Sequence, residues 1–201
     1  MGTGLCIWNL KNNFLLLFCL FIACNSPQDS KVEKPILNIE NLKNGTIICR
    51  LGNGYFSNYF RQFASKEKKF SHIGIISVEN KNVYVYHSEA SELTGVGFVK
   101  KEKIDVFLKD IKVYDFFELT YNDTIKNGII HHVKNYHTNK TPFDLNFDST
   151  NDNELYCTEL IATSINKALN KKEIEPSLTL NGKKLYALDD IYLNKNVINN
   201  K

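Results

Sequence analysis

The rhythm of apolar and polar residues changes once along this chain. Between Gly45 and Leu119 the apolar residues come in short runs or alternate with polar ones. From Asn122 onward they return every three or four positions. The first rhythm predicts strands, the second helices. "GTIICRL" (45–51) reads as a first strand after an Asn44-Gly45 turn, and "GNGYFSNYFRQFAS" (52–65) as a glycine loop leading into a short helix. "HIGIISV" (72–78) and "NVYVYHSE" (82–89) are strands rich in β-branched and aromatic residues, joined by the polar "ENKN" as a tight hairpin. "KIDVFLKD" (103–110) predicts a helical turn and "IKVYDFFEL" (111–119) a further strand. Ile125, Ile129, Val133 and Tyr136 then mark a helix over 122–137, with Asn122, Asp123 and Thr124 as candidate caps. After a polar loop with aromatic anchors (138–153), a last helix is expected from near Glu154, with Leu160, Ile161, Ile165, Ala168 and Leu169 as its apolar stripe. A short antiparallel sheet followed by helices is an α+β pattern.

The first 24 residues follow neither rhythm. Lys11 precedes "FLLLFCLFIA", ten apolar residues that are too few to span a bilayer and suit the hydrophobic region of a signal peptide. Cys24 follows a small residue and precedes the polar "NSPQDSKVEKP". That arrangement resembles a bacterial lipoprotein signal, in which this cysteine is lipidated and becomes the mature N-terminus. The expected organisation is a signal over 1–24, a tether over 25–40 and one domain over 41–201. The expected location is the bacterial cell envelope, with a lipid anchor in the membrane.

Composition changes this picture little. The 201 residues are 43% hydrophobic and 23% charged, enough for one ordinary core. A net charge of +3, spread without a basic stripe, argues against nucleic acid as a partner. The domain keeps two of the five cysteines, Cys49 and Cys157, which is no disulfide framework. No phosphate loop or dinucleotide fingerprint is present, and no cofactor is expected.

Cys49 reads as a buried strand residue. Cys157 falls in the first turn of the last helix, where unpaired N–H groups and the helix dipole favour a thiolate. A thiolate needs a base to become a catalyst. His131, His132 and His137 lie among Lys and Asn on the 122–137 helix, in no zinc-like spacing and with no acid or cysteine cluster to complete a metal site. His72 and His87 lie on the two hairpin strands. With the turn centred between Asn80 and Lys81, Ile76 faces Val85, Gly74 faces His87 and His72 faces Glu89, all on one side of the sheet. The register thus expects a carboxylate beside an imidazole.

"SHIGIISVENKNVYVYHSEAS" followed by "ELYCTELIATSINKAL" resembles the permuted papain-like amidases of the NlpC superfamily, the YiiX/YaeF-like group. His72-Ile73-Gly74 matches its H-x-G strand, Glu89 the acidic residue of the next strand, and Tyr156-Cys157-Thr158-Glu159-Leu160 its cysteine-helix start. Thr46 departs from the aspartate of the family's G-D-[IL]-[IL] segment, and Phe143-Asp144 stands for its Y-D. The resemblance spans about 43–180 and implies a circularly permuted papain-like fold. It also implies roles: Cys157 as nucleophile, His72 as base, Glu89 as the group orienting His72, and backbone N–H groups around Thr158 facing an oxyanion. Tyr156 and His87 are weaker pocket candidates, and Glu159 is expected to brace the helix. The implied activity is amide hydrolysis of a peptide, a peptidoglycan fragment or an acyl-amide. The alternatives are a lipid acyl hydrolase or transferase, and a surface lipoprotein that binds without catalysis.

Overall fold

The computed structural model describes residues 41–199. The expected signal segment, Cys24 and the tether lie outside the described residues. Six strands form one sheet: β1 (Ile47–Gly52), β2 (His72–Glu79), β3 (Asn82–Ala90), β4 (Gly97–Lys103), β5 (Ile111–Leu119) and β6 (Val197–Asn199). Their order across the sheet is β4-β3-β2-β1-β5-β6, and every neighbouring pair is antiparallel. The helices are α1 (Tyr55–Phe60), α2 (Ile104–Phe107), α3 (Asp123–Thr138), α4 (Cys157–Leu169) and α5 (Leu188–Tyr192). A separate ribbon pairs Leu178–Leu180 with Lys183–Leu185.

The β2–β3 hairpin has the register that its turn chemistry dictates. Asn80 and Lys81 both adopt positive φ, 49° and 65°, as a two-residue turn of this hand requires. Ile76 then pairs with Val85 and Glu79 with Asn82. Alternation gives the sheet two faces. Ile47, Cys49, Ile73, Ile75, Tyr86 and Val99 belong to the core that includes Ile129 and Val133 of α3 and Leu160, Ile161 and Ile165 of α4. The opposite face carries Ile48, Arg50, His72, Ile76, Val85 and His87, and Phe107 of α2 packs against both histidine rings.

The Asn122 side chain accepts from the Ile125 N–H at 3.0 Å and caps α3. Helix α4 begins at Cys157, later than its periodicity suggests. The Leu155 N–H donates to Pro142 O at 2.9 Å, and the Ser88 hydroxyl donates to Leu155 O at 2.5 Å. These bonds hold the chain extended through Tyr156 (φ −83°, ψ 174°), so the first helical residue is the cysteine. Strand β4, the Leu178–Leu185 ribbon, α5 and β6 were not expected from periodicity. From α5, the buried Asp189 carboxylate accepts the N–H groups of Ser65 (2.8 Å), Lys66 and Glu67 (2.9 Å) and pins the connection between α1 and β2.

Candidate functional site

Cys157 opens onto a cleft of about 380 Å³ whose wall also includes Arg50, His72, Glu89 and Tyr156. Cys157 as a residue is half-buried. His72, the first residue of β2, pairs across with Arg50 of β1. His87 lies diagonally from His72 on the same face, within reach of a ring side chain. Gly74 stands between them. A Cβ there would run into Val85 Cγ1 and lie 3.4 Å from His87 Cβ, so the glycine leaves the room through which the two rings meet. His72 Nε2 and His87 Nδ1 are 2.9 Å apart, with the rings perpendicular. His87 is fully buried, and its Nε2 lies 3.2 Å from Glu102 Oε2, off the hydrogen-bond axis.

Glu89 does not hold His72 in the way the register suggests. The β2–β3 ladder ends at the Ile75–Tyr86 pair. Glu89 Oε1 accepts from Arg50 Nη2 at 2.7 Å, and Oε2 from Lys100 Nζ at 3.1 Å. Two cations, Arg50 of β1 and Lys100 of β4, thus take the carboxylate, and the hydrogen-bond partner of His72 is His87. Arg50 is itself fixed. Its guanidinium lies over the Phe107 ring, 4.3 Å from the centroid, and donates to Phe107 O.

The electrostatics also depart from expectation. Burial pushes the Cys157 thiol up to about 11, against the N–H groups of Thr158 and Ile73, which favour the thiolate. The helix start is real, but desolvation outweighs it. Burial also holds His72 well below its ordinary value, helped by Arg50, His87 and Lys100. Both shifts favour thiol and neutral imidazole over thiolate and imidazolium.

The remaining candidates fall into supporting places. The Tyr156 hydroxyl accepts from the Tyr186 N–H at 2.7 Å and meets Ser149 Oγ at 2.9 Å, which leaves the ring to line the cleft. Thr158 Oγ1 donates to Tyr186 O at 2.8 Å, so Thr158 serves the cleft through its backbone. Glu159 is buried and accepts from the Tyr156 N–H at 3.4 Å. Burial, with Asp144 nearby, pushes its carboxyl up to about 9, so it braces α4 as a neutral acid.

Arg50, Lys100, Glu102 and Phe107 were absent from the sequence reading. Arg50 could have been found from its alternation with Cys49, which places it on the histidine face. Glu102 and Lys100 needed β4. Phe56, Phe60, Phe143 and Phe147 give the cleft an apolar wall. Phe63 and Phe147 stack at 5.9 Å beside it.

Spacing along the chain suggests no metal cluster, but the fold makes one close grouping among the described residues. One ligand atom each of His72, His87 and Glu89 lie within 4.8 Å of one another. The fit to a divalent ion is poor. Both Glu89 oxygens are bonded to cations and the two imidazole nitrogens to each other, so an ion would have to sit beside Arg50 and Lys100.

No family model matches the chain, and no curated protein matches it. Among solved structures, the chain is similar to the metalloprotein YiiX of Escherichia coli O157:H7 (DUF1105). The TM-score is 0.63 at 16% identity, covering 78% of this chain and 95% of that one. The fold is YiiX-like: a six-stranded antiparallel sheet packed against helices.

Proposed function

We propose that this protein is a cysteine hydrolase that cleaves an amide bond, with Cys157 as nucleophile and His72 as base. The observation that carries this reading is that both line one cleft, with His72 Nε2 engaged by a buried His87 at 2.9 Å. With Nε2 so engaged, Nδ1 of His72 is assigned to the thiol. The neutral pair works by general-base catalysis. As Cys157 Sγ attacks the carbonyl carbon, His72 Nδ1 takes the thiol proton, and backbone N–H groups at the start of α4 face the developing oxyanion. His72 returns the proton to the leaving amine. A water, deprotonated by His72, then hydrolyses the thioester. His87 takes the orienting place first assigned to Glu89, and Glu89 holds Arg50 in the wall.

The aromatic wall favours a substrate with an apolar group beside the amide: an acyl-amide, or a peptide with apolar side chains. A peptidoglycan fragment fits the location that the Cys24 motif suggests, a lipid-anchored protein of the bacterial envelope. The same wall favours acyl hydrolysis or transfer at lipids as the nearest alternative. The raised thiol favours the remaining one, a protein that binds without turnover. The description of YiiX as a metalloprotein, with the His72–His87–Glu89 grouping, favours a metal centre; the neighbouring cations oppose it.

The test is hydrolysis of acyl and peptidyl anilides by the full chain. Amine release that disappears in Cys157→Ala and His72→Ala is the expected result. Turnover that survives Cys157→Ala would overturn the thiol mechanism. Stoichiometric metal in the purified protein, lost in His72→Ala and His87→Ala, would establish the metal reading instead.

A further inference from the structure

We propose that Glu102 is a positioning residue: acting through His87, it decides which nitrogen of His72 carries the lone pair. The inference rests on the reading of His72 as base. An ionised carboxylate only accepts hydrogen bonds, and a neutral imidazole has one N–H and one lone pair. The direction of the whole chain of contacts follows from those two facts.

Glu102 lies on β4 opposite Val85, on the face that carries His87 and Lys100. Its Oε2 is 3.2 Å from His87 Nε2. The approach is off the hydrogen-bond axis, and among the described residues this buried nitrogen has no hydrogen-bond partner. A lone pair on Nε2 would face the negative carboxylate oxygen across 3.2 Å, whereas an N–H there turns its positive end toward that charge, so the proton of His87 belongs on Nε2. His87 Nδ1 is then a lone pair. The atom 2.9 Å away, His72 Nε2, must donate to it. His72 consequently bears its proton on Nε2 and its lone pair on Nδ1, the nitrogen left for Cys157. Reversing the first link reverses the rest: with the His87 proton on Nδ1, His72 Nε2 becomes the acceptor, Nδ1 carries the proton, and no base faces the thiol. Phe107 packs against both rings, 5.7 Å from His72 and 5.0 Å from His87 between centroids, and covers the relay. Interaction with His87 also holds the Glu102 carboxyl below its usual range, which keeps it an acceptor at neutral pH.

The test is tautomer assignment by long-range ¹H–¹⁵N correlation on the ¹⁵N-labelled full chain near neutral pH, where imidazole nitrogens with and without a proton are well separated. The wild type should show both His72 and His87 protonated on Nε2. Glu102→Leu should move His87 or His72 to the Nδ1–H form and slow alkylation of Cys157 by about tenfold or more. Glu102→Gln keeps an acceptor oxygen and should preserve the wild-type tautomers, with alkylation restored to near the wild-type rate. A wild-type His87 protonated on Nδ1 overturns the proposal without any variant. So does a folded Glu102→Leu protein with unchanged tautomers, or a Glu102→Gln protein as impaired as Glu102→Leu. Alkylation unaffected by His72→Ala would instead sink the reading of His72 as base, whatever the tautomers show.

Discussion

At the residue scale the site combines two groups that each resist charge. His72 is held well below its ordinary value, so it remains a free base through pH 6.5 and becomes protonated only further down. The acid limb of the pH–rate profile should therefore fall below pH 6.5, which initial rates from pH 4 upward would show. Cys157 points the other way. Its alkylation without substrate should keep rising beyond pH 8.5, the ordinary thiol value, toward the region of 11. Peptide mapping of the labelled protein checks this, and a plateau near pH 7 would contradict it. Glu159 gives a stability prediction. Its carboxyl is raised to about 9 in the fold and ordinary in the unfolded chain, so the native state binds the extra proton. As pH rises from the ordinary carboxyl range toward the raised value, this group removes stability. Glu159→Gln, which keeps the shape of the neutral acid, should flatten that slope in urea titrations and leave the protein more stable than wild type at pH 8. That Cys157 and His72 would line one cleft was legible, because residue type and position on an element point to them. The partner of His72 was not. Register arithmetic tells which face a side chain occupies, but not that Arg50 and Lys100 would draw Glu89 aside while His87 reached diagonally across Gly74.

At the element scale, the strands that alternate cleanly and the two long helices were readable, as was the hairpin register that orders the site. Strand β4 was hidden because "GFVKKEK" is rich in lysine and lies at the sheet edge. Charged side chains there discourage pairing with another chain, and that same property erases the strand signal. Its first residue is constrained. A Cβ on Gly97 would collide with Ala90 Cα and Glu89 O across the ladder, and backbone atoms cannot step aside. Gly97→Ala should therefore cost roughly 1–3 kcal/mol by overpacking. It should also loosen the Glu89 end of β3, and backbone amide exchange there should accelerate in step. Unchanged exchange at residues 88–90 would contradict this.

At the scale of the whole molecule, the parts that sequence could not supply are short and late. Strand β6 and the Leu178–Leu185 strands have three residues each, and α5 has five, too few to show a period. Their order comes from distant partners: β5 for β6, and the 65–67 backbone for Asp189. Backbone N–H groups lower the Asp189 carboxyl against the opposing effect of burial. Its contribution is thus present at neutral pH and lost as pH falls through its depressed value. Asp189→Ala should cost about 1–3 kcal/mol at pH 7, measured by urea, through three stranded donors. The loss should shrink in acid.

The order of synthesis gives the last contact a consequence in time. A ribosome releases His72 first, His87 and Glu102 next, Cys157 much later, and Asp189 later still. On the proposed mechanism no growing fragment holds all of these together. On that mechanism a nascent chain stays chemically silent until Asp189 has emerged to close the contact.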